Sequence, residues 1–117
     1  MSTRHVIIAS GTALTADVTS DQVCLEDVES AAIRFTITSA SSLSATAYLQ
    51  SSNDASVWVN RTLTSGSGST AASVSVTTNT TEIFSVSPDE MFWRLFLDYG
   101  SGSAVVTAEF VDTVRSR

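Results

Sequence analysis

Apolar side chains recur at every second position over short stretches of this chain, and clusters of Ser, Thr, Gly and Asn separate the stretches. From Ala31, the residues Ala31, Ile33, Phe35 and Ile37 fall on one face, and Ala32, Arg34, Thr36 and Thr38 on the other. That period of two belongs to strands with one buried face. The pattern predicts strands near 4–9, 22–26, 31–38, 44–50, 57–63, 72–77, 82–86, 92–99 and 104–112, with 11–20 as an irregular edge segment. Val74 and Val76 alternate within the Ser/Thr-rich stretch 70–81, which reads as a pair of exposed strands. No window carries a 3.6-residue stripe, and only Pro88-Asp89-Glu90 after Ser87 suits a single helical turn. About eight or nine short strands at this spacing imply an all-β protein, an antiparallel β-sandwich of jelly-roll or immunoglobulin-like type. Residues 1–117 read as a single domain, with an extended N-terminal segment at 1–20.

Two hairpins stand out. Tyr48-Leu-Gln-Ser-Ser-Asn-Asp-Ala-Ser-Val-Trp-Val-Asn60 reads as a strand, an Asn-Asp turn and a second strand beginning at Trp58. Alternation sets Ala47 and Leu49 on one face and Tyr48 and Gln50 on the other. Near the C-terminus, Phe92–Tyr99 runs into Gly100-Ser-Gly-Ser103 and Ala104–Val111 returns, the spacing of a Gly-containing hairpin loop. Trp93, Leu95, Leu97 and Tyr99 form one core face there, and Ala104, Val106, Ala108 and Phe110 the other. Opposite the core face lie Phe92, Arg94 and Phe96, beside Val105 and Val111 on the returning strand. An outward apolar patch with a charge inside it has the composition of a protein–protein interface.

Composition sharpens this picture. The chain holds 21 Ser and 16 Thr but only 15% charged residues and no lysine, a balance suited to exposed strand faces. Hydrophobic content of 43% in 117 residues is enough for a real core. A net charge of −6 without a basic cluster argues against direct binding to nucleic acid or anionic membranes, and favours a basic partner surface. No apolar run is long enough for a signal core or a membrane span. The single cysteine, Cys24, allows no internal disulfide, which points to folding in a reducing cytoplasm. Between Val23 and Leu25 it is expected to be a small buried residue.

Candidate chemistry is sparse. The one histidine, His5, sits near the start of the chain and reads as exposed or at a strand edge. No lysine is available as a base, and Cys and His are too few for a zinc site. The acids Glu26, Asp27 and Glu29, the pair Asp89 and Glu90, and Asp17 with Asp21 lack calcium-loop spacing and read as solvated. The expectation is therefore a non-enzyme with no catalytic residues, no metal and no cofactor. Trp58 and Tyr48 together suggest a sugar-stacking platform, so a carbohydrate-binding or adhesin-like module is the alternative.

The run Leu49-Gln-Ser-Ser-Asn-Asp54, a few small residues, then Trp58-Val-Asn60 resembles small β-sandwich proteins of tailed bacteriophage virions. In those proteins a strand is often followed by a Ser-Asn-Asp-Gly-type turn and a tryptophan. Phe92-Trp93-Arg94-Leu95 looks like their aromatic-Arg-apolar strand. The likeness covers 44–63 and 91–112; it departs in having Ala55 where Gly is frequent and in carrying Gly66-Ser67-Gly68. It implies a virion structural protein made in the host cytoplasm, such as a capsid decoration (cement) protein. Its partners would be the major capsid protein or other virion proteins, and it would be a homo-oligomer, for instance a trimer.

Overall fold

A computed structural model describes residues 2–24, 28–65, 70–86 and 91–114. The strands are β1 (Ser2–Leu14), β2 (Val18–Thr19), β3 (Val23–Cys24), β4 (Val28–Ser52), β5 (Val59–Arg61), β6 (Leu63–Ser65), β7 (Thr70–Ala71), β8 (Val74–Val76), β9 (Thr80–Val86) and β10 (Phe92–Val114). All pairings are antiparallel, and the main path runs β1-β10-β4-β9-β6-β7. The fold is all-β and sandwich-like. Among the described residues no helix is long and apolar enough to cross a membrane. The Pro88 turn and residues 66–69 lie outside the described residues.

The frame is one ladder of two very long strands. β4 has 25 residues and β10 has 23, and they pair from Phe92↔Ser52 to Val114↔Val28. This corrects the expected C-terminal hairpin: Gly100–Ser103 is no turn, and 92–99 and 104–112 belong to one strand. The expected strands 31–38 and 44–50 are likewise the two halves of β4. The Ser/Gly clusters that look like turns form a bulged corner, because a β-bulge calls for the same small residues and positive φ as a turn. Here Ser39, Ser42 and Gly102 have φ of 55°, 50° and 83°.

At this corner the ladder folds over. The first half of β10 is flanked by β2 and β3, and the second half by β1. The far half of β4 carries β5 and β8, the near half β9. Two joints close the layers together. Ser20 N donates to Leu95 O at 2.9 Å, while the adjacent Asp21 N donates to Ile7 O at 2.9 Å, so neighbouring residues bond to opposite layers. On the other side only Thr62 separates β5 from β6.

The corner also explains the core. In β4 odd-numbered residues face inward on both sides of it: Ile33, Phe35 and Ile37, then Leu43, Ala45, Ala47 and Leu49. In β10 the inward set changes from Trp93, Leu95 and Leu97 to Ala104, Val106, Ala108 and Phe110. The register shifts between Tyr99 and Val105 leave one residue more on β4 than on β10, and a slip of one flips every side chain. Both halves thereby feed a single buried cluster that includes Trp93, Phe35, Phe84 and Phe110. Burial of each such ring contributes roughly 1.5–3 kcal/mol.

Polar contacts pin the corner. Tyr99 Oη donates to Gly102 O at 2.5 Å, Tyr99 N donates to Asp17 Oδ1 at 2.8 Å, and Ala40 N donates to Asn79 Oδ1 at 2.9 Å. A Cβ on Gly102 would lie 2.2 Å from Ser42 O, a backbone atom that has no room to retreat. Gly102→Ala is therefore expected to cost about 3 kcal/mol or more. Gly11→Ala has an equally positive φ of 84° but nothing within 4 Å, and is expected to cost only about 1 kcal/mol. Thermal or urea unfolding of the two variants measures the difference.

Candidate functional site

The loop after β4 is built by two short side chains. Ser52 Oγ accepts from Asp54 N (3.2 Å) and Ala55 N (3.0 Å) and donates to Asp54 Oδ1 (2.9 Å). Asp54 Oδ1 also accepts from Ser56 N (2.9 Å) and Val57 N (3.0 Å). These bonds, Val57 first and then Ser56, hold the Asp54 carboxyl below its ordinary value. The hairpin expected from Tyr48–Asn60 is present, with Leu49↔Arg61 and Ser51↔Val59 in register. Its second strand starts at Val59 rather than at Trp58, which lies in the loop.

That loop delivers Trp58 to the outward face of the first β10 layer. The Arg94 guanidinium stacks on the Trp58 ring at 4.1 Å from its centroid, and Arg94 Nε donates to Gln50 Oε1 at 2.7 Å. Gln50 Nε2 in turn donates to Asn60 Oδ1 at 3.0 Å, so one hydrogen-bonded row crosses β10, β4 and β5. Burial pushes the Arg94 pKa down from its ordinary value. One step along the face, Phe96 and Tyr48 are opposite in register and stack with centroids 6.3 Å apart. The cation–π contact of Arg94 with Trp58 contributes about 0.5–2 kcal/mol.

The two candidate sets from the sequence, Phe92, Arg94 and Phe96 for a protein interface and Tyr48 and Trp58 for a sugar, therefore fall on one half-buried surface. Val105 and Val111 do not join it. They pair with Thr38 and Ala32 beyond the corner, because the strand that carries them continues instead of turning back beside Phe96. That outer surface instead holds the cross-strand pair Arg34 and Glu109 at 2.8 Å. Gln50 and Asn60 belong to the site although no sequence motif marks them: alternation places Gln50 beside Tyr48, but only the register supplies its partners.

Elsewhere, His5, Val6, Asp21, Gln22, Cys24 and Phe110 contribute to a cleft of about 300 Å³. Cys24 is exposed, which corrects the expectation of a buried residue: Val23 takes the inward position beside Trp93, and the thiol points outward to Met91 Sδ at 3.6 Å. His5 is exposed on β1, its ring 6.1 Å from Phe110. Among the described residues no three His, Cys, Asp or Glu side chains gather as metal ligands. Asp17 receives the Tyr99 amide, whereas Glu26, Asp27, Asp89 and Glu90 lie outside the described residues.

No protein-family model and no curated protein matches the chain. Solved structures do. The chain is similar to the SPBc2 prophage-derived protein YomS, with a TM-score of 0.64 and 15% identity over 95% of this chain and 93% of that one. It is also similar to the PBSX exported protein XepA, with a TM-score of 0.62 and 12% identity over 98% of this chain and 38% of XepA. The chain thus spans well under half of XepA. At these identities the likeness is one of fold.

Two measurements test the loop. Ala55 holds a φ of 60°, so Ala55→Gly is expected to be stabilising by up to ~1 kcal/mol in thermal unfolding. A carboxyl whose folded pKa is depressed adds stability that is present above the unfolded value and lost as pH falls through the folded one. Carbon NMR titration is accordingly expected to give Asp54 a midpoint below the ordinary 3.8, and the stability gap between wild type and Asp54→Asn should close as the solution is acidified through that midpoint.

Proposed function

We propose that this chain is a non-enzymatic structural component of a bacteriophage particle that acts through protein–protein contacts. The observation that carries the reading is the outward surface of Tyr48–Phe96 and Trp58–Arg94, held in place by Gln50. Half-buried aromatic rings around an oriented arginine are what interface centres are made of, and a sheet face used for binding needs no cavity. The fold shared with a prophage-derived protein and with the PBSX exported protein supports a phage setting.

The finer reading is decoration of the capsid. A small acidic domain with a rigid β-framework suits a cement role, in which many copies lie on the shell as a homo-oligomer and bind the major capsid protein. Such a protein folds in the host cytoplasm and ends in the virion, with no nucleic acid or membrane to engage. The alternative, a carbohydrate-binding module, draws on the same rings. It is weakened by Arg94, which already occupies one face of Trp58.

Purified chain added to phage particles that lack it is expected to co-sediment with them at saturable stoichiometry and to raise their resistance to heat. Phe96→Ser should lower the apparent affinity at least tenfold, about 1.4 kcal/mol, while leaving the fold intact by circular dichroism. Absence of binding to heads or tails would refute the structural role. Hits on a glycan array that vanish with Trp58→Ala would transfer support to the carbohydrate reading.

A further inference from the structure

The outward row of β10 has a symmetry of its own. Phe92, Arg94, Phe96 and Asp98 alternate outward, so a cation and an anion stand two residues to either side of Phe96. Four residues of strand separate the two charges by roughly 13 Å, too far for them to pair with each other. Neither has a counter-ion among the described residues: Arg94 spends its Nε on Gln50 and a face on Trp58, and Asp98 is exposed. The Nη groups of Arg94 thus remain as oriented donors, the geometry that takes a carboxylate. Across the row, β4 places Gln50 opposite Arg94, Tyr48 opposite Phe96 and Thr46 opposite Asp98.

We propose that this face is the interface of a two-fold dimer, in which Arg94 of one protomer meets the partner's Asp98 and the Phe96–Tyr48 pair packs on its own copy. The inference rests on the reading that the chain works through protein contacts, and names the occupant of that surface. The argument is one of complementarity. A face of basic groups alone would confront Arg94, and a face of acidic groups alone would confront Asp98. A surface that answers both charges needs an anion and a cation at the same spacing in reversed order, around an apolar centre. The face itself, turned end for end about an axis across the strands at Phe96, is such a surface. The rotation makes the contact twice, as a two-fold interface requires. The opposite orientation would set Arg94 on Arg94, and like charges in contact repel. The guanidinium is already partly desolvated by Trp58, so its pairing costs less than that of a free arginine.

Sedimentation equilibrium over a concentration series tests it, with thermal unfolding to confirm that each variant folds. Wild type is expected to show a monomer–dimer equilibrium. Arg94→Glu alone and Asp98→Arg alone should each weaken the dimer at least tenfold. Arg94→Glu combined with Asp98→Arg should restore it to within a few-fold of wild type. A mixture of the two single variants should form heterodimers, because each then supplies the charge the other lacks. Wild type that stays monomeric at every concentration, single reversals without effect, or a double variant no better than the singles would each overturn the inference. Wild type that stays monomeric yet binds particles would overturn the dimer alone and leave the structural role standing.

Discussion

The close approach of Gly102 to the Ser42 carbonyl is the contact on which the rest of this structure depends. Two strands of 25 and 23 residues would otherwise make a long flat ribbon with one face of apolar residues open to water. The bulged corner at 39–44 and 99–105 bends that ribbon back on itself, so its two halves become layers that cover each other. It also absorbs the extra residue on β4, which reverses the parity of β10 and keeps both halves facing inward. A turn would have cut the ladder and created new edges. A bulge keeps the ladder's hydrogen bonds on either side while changing its direction.

Side-chain direction within each half was legible from alternation alone, because a buried face repeats every two residues whatever the strand pairs with. Trp93, Leu95 and Leu97, and Ala104, Val106, Ala108 and Phe110, are buried as that period requires. Connectivity was not legible. Gly100-Ser-Gly-Ser103 and Ser39–Ser42 satisfy the chemistry of a turn and of a bulge equally, and the choice between them is made by pairing some sixty residues away in sequence. The error over Val105 and Val111 follows directly, since a hairpin would have set them beside Phe96 and a continuous strand carries them past the corner. Cys24 failed for a smaller reason: in a two-residue strand the inward slot goes to one side chain only, and Val23 packs better against Trp93.

The same division holds at the site. The sequence shows that Phe92, Arg94 and Phe96 share a face and that Tyr48 and Trp58 flank a turn. It does not show that the turn folds Trp58 over Arg94, because that depends on the register of β4 with β10 and on the Ser52–Asp54 network that shapes the loop. Two unrelated hypotheses about sugar and protein thereby became two descriptions of one surface.

The state of the arginine favours the protein reading proposed above. In a sugar site, aromatic rings are left open so that a pyranose can lie on them, and charged groups stand at the rim to reach hydroxyls. Here one ring face is covered by a guanidinium, Tyr48 is taken up by Phe96, and a fixed amide aims Arg94 from the side. Each of these contacts removes freedom that would otherwise be lost on binding, which is the preorganisation that the proposed protein interface calls for. The framework gives the reason it can be so. Beneath these residues the odd-numbered side chains of the same two strands are buried in the core, and a backbone anchored in that way holds Arg94 in its place between Gln50 and Trp58.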